Sequence, residues 1–180
     1  MRPVLARSAG VSVALALSAA VVPAYAAQPV VVAVDGTLCD LTKTLAAGAA
    51  SVTCLIPPGG DPHSYRLKPS DRGQIAKSDL VLHIGFGLTP SAKKLQSPGT
   101  VVAVGEVALP SYGGSDPHVW HDPANSAAMV RVISRSLAPV LPASDRAALQ
   151  QRTASAVAVF KALQSWEAKQ FSSLPSAQRV

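Results

Sequence analysis

The chain has 180 residues, 48% of them hydrophobic but only 4% aromatic, and carries a formal net charge of +6. Its basic residues are scattered, with no basic run interleaved with aromatics, so the composition speaks against a nucleic-acid partner. The apolar content is mostly alanine and valine over a length sufficient for a buried core, which fits a globular α/β chain.

The first residues read as a targeting segment. Arg2 and Arg7 supply a short positive stretch, residues 9–22 are apolar, and Ala24-Tyr25-Ala26 is a small-residue cleavage site. Together they predict a cleavable signal peptide over residues 1–26. The apolar run is shorter than the roughly 20 residues that span a bilayer. No cysteine stands at the cut to accept a lipid, so the expected product is periplasmic, with no stable membrane insertion after cleavage.

Residues 29–34 (PVVVAV) form a continuous β-branched run, the mark of a buried strand, and Asp35-Gly36 ends it. Thr37 is placed to cap a helix over residues 38–49. Residues 51–56 (SVTCLI) make a second strand, stopped by Pro57-Pro58-Gly59-Gly60, and the three elements form one βαβ unit. Cys39 and Cys54 are an even, low count in an exported chain, which favours one disulfide. A metal pair and two free thiols stay open, although two thiols make a poor zinc site and no C-x-x-C spacing occurs.

Pro69 suits the first turn of a short helix reaching about residue 77. Residues 79–84 (DLVLHI) and 100–104 (TVVAV) read as third and fourth strands, and residues 109–115 as a loop. Strands alternating with short helices predict an α/β fold with a parallel four-stranded sheet flanked by helices. Asp122-Pro123 reads as the start of a helix to about residue 139. Ser144 is placed to cap a longer one, residues 145–172, whose stripe Leu149, Ala156, Phe160 and Leu163 keeps a helical period. Such a helix is about 40 Å long, long enough to act as a spine toward something beyond this domain.

One short motif recurs. Asp61-Pro62-His63 and Asp116-Pro117-His118 each follow a glycine-containing turn just after a predicted strand. Ligands of open α/β sheets bind beyond the carboxyl ends of the strands, so both histidines are candidates for one rim. Two neutral imidazoles make half of a tetrahedral zinc site, or part of a manganese site. Spacing alone does not bring them together, because they lie 55 positions apart. His83, inside a predicted strand, reads as a core or edge histidine, and His121, beside a helix start, as a capping or surface one. There is no G-x-S-x-G elbow, no H-E-x-x-H and no Walker or dinucleotide fingerprint, so no catalytic residue is assigned and no enzyme is expected.

The stretch CLIPPGGDPHSYRLKPSDRGQIAKSDLVLHIGFGLT resembles the first-ligand region of the metal-binding receptors of zinc and manganese ABC importers. That family shows D-P-H-x-Y/F, then P-S-D, a short helix, and A-D-L-V with a glycine turn. Here these fall at Asp61 to Tyr65, Pro69 to Asp71, and Ser78 to Val81. The segment DPHVWHDPANS, opening at Asp116, resembles the second-ligand region, and the long helix resembles the family's rigid interlobe helix. Ile84 stands where an asparagine is usual, Thr89 where a glutamate is common, and the loop at 109–115 lacks a histidine-rich tract.

The resemblance implies that His63 and His118 are metal ligands and that the N-terminal lobe of a helical-backbone metal receptor spans residues 27–143. It implies an interlobe helix over 144–174, which permits little hinge bending. Residues 175–180 are then expected to open a second lobe that this chain lacks and that supplies the remaining ligands in the family. The implied function is capture of a divalent transition metal, zinc or manganese, for a membrane permease of an ABC importer. The alternatives are a surface adhesion or interaction protein of the same family, and a fragment without function.

Overall fold

The computed structural model describes residues 27–175. The expected signal peptide and residues 176–180 lie outside them. Four strands, β1 (Val30–Ala33), β2 (Ser51–Cys54), β3 (Leu80–His83) and β4 (Thr100–Ala103), form one parallel sheet in the order β2-β1-β3-β4. The chain leaves β1 toward β2 on one side and returns to β3 on the other. The topological switch point therefore falls between the carboxyl ends of β1 and β3. Backbone bonding continues past the strand ends, since Leu55 and Ile56 N–H donate to the carbonyls of Ala33 and Val34 at 3.0 Å.

Both faces of the sheet are covered, which is why the strands are apolar on both sides of the pleat. Val31, Ala33, Leu80 and Leu82 face the larger layer, built by α1 (Gly36–Ala46), α4 (Pro123–Leu137) and the first half of α5 (Arg146–Ser172). Val32, Val34 and Val81 face the smaller one, with Ile75 of α2 (Pro69–Ile75) and Ala92 from a 3-10 turn at Pro90–Ala92. A fifth helix, α3 (Val104–Ala108), follows β4 directly. It was not expected, because five residues carry too little periodicity to separate a helical turn from the end of a strand.

Helix ends differ from the sequence expectation in instructive ways. Asp35, not Thr37, caps α1: it is extended, and its carboxylate accepts the Leu38 N–H at 3.0 Å. The helix ends three residues before 49, at Ala46, where Ala47 turns left-handed with φ 46°. The strand expected to include Val104 gives way to α3, and α4 stops at Leu137 rather than 139. Asp122 caps α4 through the Ala124 N–H at 2.7 Å. Ser144 does not cap α5. Pro142 leads into a 3-10 turn over Ala143–Asp145, and α5 begins at Arg146.

Two ties fix α5 and α1 to the rest. A disulfide joins Cys39 of α1 to Cys54 of β2, with Cα atoms 5.5 Å apart. Arg152 Nε donates to the Leu45 carbonyl at 2.6 Å, with Nη2 3.5 Å from that of Ala46. A guanidinium thus meets the carbonyls at the end of α1. The short connection makes α4 and α5 antiparallel neighbours. At 1.5 Å per residue α4 is about 22 Å long and α5 about 40 Å, so α5 returns to the carboxyl edge of the sheet and runs on past it.

Candidate metal centre

The two D-P-H motifs share one backbone turn. In each, the aspartate Oδ1 accepts the backbone N–H of the histidine two residues on, at 3.0 Å in both. These are Asx turns, and with a proline inside each one the histidine is presented from a stiff loop. The Asp116 carboxyl is held below the usual carboxylate range, chiefly by the His118 backbone N–H and then by the His118 ring. Asp61 is held low chiefly by the Ser64 hydroxyl and then by the His63 N–H.

The loops converge at the carboxyl edge of the sheet. The Nε2 atoms of His63 and His118 lie 3.0 Å apart, with ring centroids 5.0 Å apart and planes tilted by 57°. His118 Nδ1 lies 2.6 Å from Asp116 Oδ1. A carboxylate can only accept, so Nδ1 carries the proton there and, in the neutral ring, the Nε2 lone pair faces His63. Carboxylate–histidine pairs of this kind orient metal-ligating imidazoles. Trp120 meets the His118 ring edge-on at 5.2 Å, and the exposed His121 ring is 6.3 Å from that of His118.

The pair has the dimensions of half a metal site. Two zinc–nitrogen bonds of about 2.05 Å at a tetrahedral angle set the nitrogens about 3.3 Å apart, so a widening of a few tenths of an ångström admits an ion. Among the described residues no third histidine, cysteine, aspartate or glutamate joins them as a ligand group. His63 is exposed and His118 is partly exposed, so the pair is open to solvent.

Behind the His63 loop the chain is anchored by Tyr65. Its hydroxyl shares its proton between the Asp71 carboxylate at 2.8 Å and the Leu55 carbonyl at 3.0 Å. Burial, then the bond to Asp71, pushes the phenol up to about 12. Asp71 also accepts the Lys68 N–H at 2.8 Å, joining the loop to the start of α2.

His83 lies apart from the pair. It lines a separate groove with Glu106 and Lys93, and burial lowers its pKa against the opposing charge of Glu106. Glu106 accepts the Phe86 N–H at 2.6 Å and so holds the Gly85-Phe86-Gly87 turn. Gly85 has φ 88°, a conformation that requires glycine there. The orienting role of Asp116 was missed in the sequence, although its aspartate-x-histidine spacing is the signal for it. Trp120 left no signal at all.

The chain matches, over residues 31–180, the profile of the family described as zinc-uptake complex component A, periplasmic. It is 31% identical over 163 residues to the zinc-binding protein TroA of Treponema pallidum, covering 85% of this chain and 53% of that protein. It is 32% identical over 149 residues to the manganese-binding lipoprotein MntA of Halalkalibacterium halodurans, covering 78% and 49%. The solved periplasmic zinc-binding protein TroA of Treponema pallidum superposes with a TM-score of 0.75 at 28% identity, over 82% of this chain and 57% of that one. The chain spans about half the length of the curated relatives it matches. With its sheet, long helix and D-P-H loops all in place, it belongs to the periplasmic component A family of zinc-uptake complexes.

Proposed function

We propose that this chain captures a divalent transition metal, zinc or manganese, in the periplasm for uptake through the permease of an ABC importer. His63 and His118 bind the ion through their neutral Nε2 atoms. The observation that carries this is the 3.0 Å approach of those two nitrogens with His118 already oriented by Asp116. Relatives named for binding zinc and for binding manganese support the choice of metals, and their names for metal binding support a non-enzyme. Among the described residues no helix is long and apolar enough to cross a membrane.

Residues 27–143 act as the metal-binding lobe and residues 144–174 as the interlobe helix. The ligands still needed come from outside the described residues, from a second lobe that packs against the projecting part of α5. Two imidazoles alone bind a divalent ion weakly, and the completed set binds it tightly.

The test is a zinc and manganese titration of the purified chain beside the His63→Ala/His118→Ala double variant. The expected result is one ion per chain, lost in the double variant. An unchanged stoichiometry and affinity in the double variant overturns the assignment of the pair. Acidification should release the ion, because protonated imidazole has no lone pair to give.

A further inference from the structure

Asp35 lies two residues past the end of β1, at the switch point of the sheet, and is 5% exposed. Its Oδ1 caps α1 by accepting the Leu38 N–H, but its Oδ2 has no hydrogen-bond partner. Burial raises this acid to about 6, against the Leu38 bond and the nearby N–H groups of Thr37 and Ile84, which oppose it without hydrogen-bond geometry to Oδ2. Capping does not require that arrangement. Serine, threonine or asparagine cap a helix as well or nearly so, and none leaves an ionisable oxygen buried and unpaired, which is costly.

The carboxyl belongs to a cavity of about 210 Å³ whose other walls include Thr37, Ile56, Gly60, Pro62, Leu88 and Trp120. No other residue of that wall is ionisable, whether it comes from α1, from the turn after β2, from the segment after β3 or from the Trp120 loop. Two of the walls belong to the histidine site. Pro62 immediately precedes His63, and Trp120 packs edge-on against His118. The cavity therefore backs onto the pair, with apolar walls that screen charge poorly.

We propose that Asp35 is an outer-sphere carboxylate of the metal site, placing a negative charge behind His63 and His118 that stabilises a bound divalent cation without ligating it. This rests on the metal-receptor function proposed above. The unpaired oxygen then has a use: it is costly in the empty protein and is compensated when a cation arrives.

Asp35→Asn isolates the charge, because the amide oxygen still caps α1. Zinc titrations of the unaltered chain and of Asp35→Asn are run from pH 8 to pH 5.5, with Asp35→Ser as a second neutral cap and His63→Ala/His118→Ala as the control. Thermal melts without metal check that each variant is folded. Both neutral caps should bind zinc about tenfold more weakly at pH 8, a loss of the size known for outer-shell groups. The gap should narrow toward pH 5.5, where Asp35 itself is protonated. Equal affinity of the folded Asn variant and the unaltered chain at every pH overturns the proposal and leaves Asp35 a helix cap. If zinc binding survives in the histidine double variant, or is absent from the unaltered chain, the metal-receptor function falls and Asp35's role with it. If binding needs the histidines but ignores Asp35, only the present inference falls.

Discussion

Asp116 Oδ1 accepts two bonds from one residue, the backbone N–H of His118 at 3.0 Å and its ring Nδ1 at 2.6 Å. A single carboxylate thereby fixes both the loop and the tautomer of the histidine it presents. Asp116→Ala should weaken zinc binding about tenfold or more while leaving the fold intact, because the residue is exposed and its bonds are local. Asp116→Asn should lose less, since its amide oxygen can accept one of the two bonds. Calorimetric titration separates the two variants, and equal affinities for all three proteins would show that His118 needs no such partner.

Asp35 makes the metal-free chain less stable as pH rises. Its acid is raised from 3.8 to about 6 in the folded protein, so between those values the unfolded chain is ionised while the folded one keeps its proton. Unfolding then releases a proton, and stability falls with rising pH across that window. Below about 3.8 the penalty is absent, and above about 6 it is complete. Asp35→Asn should therefore stabilise the metal-free chain on the order of 3 kcal/mol at pH 8 and change it little at pH 4. Denaturant melts at the two pH values measure it, and a destabilised variant at pH 8 would contradict the sign.

The disulfide between Cys39 and Cys54 closes a separation of 15 residues, for which chain entropy alone gives about 3 kcal/mol. It ties the start of α1, where Asp35 and the cavity lie, to the end of β2, from which the His63 loop departs. Reduction should lower the unfolding free energy by roughly that amount. It should also loosen zinc binding, because the loop is anchored there. Paired denaturant and zinc titrations with and without reductant check both effects, and Cys39→Ser/Cys54→Ser should reproduce them.

Thr42 offers a contrasting core prediction. It is fully buried in α1, and its Oγ1 has no hydrogen-bond partner. Replacing it with valine keeps the shape and removes an unsatisfied hydroxyl, so Thr42→Val should raise stability by about 1 kcal/mol. A loss of stability on thermal melting would mean that the hydroxyl is satisfied by bound water.

What could be read from the sequence follows the reach of each signal. The four strands were legible because runs such as Val30-Val31-Val32 are apolar on both faces, and α5 because its stripe persists over several turns. Strand order was not, since nothing in residues 29–34 tells which neighbour lies on which side. The cap of α1 was misplaced because Asp35 and Thr37 are both capable side chains, and only backbone geometry decides between them. The approach of His63 to His118 spans 55 positions and has no local cause. The family resemblance suggested it, while the matching Asx turns that support it emerge only in three dimensions. Asp35 was passed over as a strand terminator because burial, which makes it unusual, is a tertiary property.

The long helix is packed along only part of its length. In its first half Leu149 and Val157 are buried, and Arg152 and Thr153 bond to α1 and α4. In its second half Val159 is 67% exposed, Trp166 59% and Phe171 56%. The stripe that packs on α4 runs on through Leu163 without cover among the described residues. A helical segment with no tertiary packing is marginal in water, so hydrogen exchange should divide α5 near residue 160, with slow amides before it and fast ones after it. Uniform protection to Ser172 would instead mean that the second half is held by something packed against its apolar face. Comparing the chain at low and high concentration would then tell a second copy from intrinsic helix strength, since protection by a second copy grows with concentration and intrinsic protection does not.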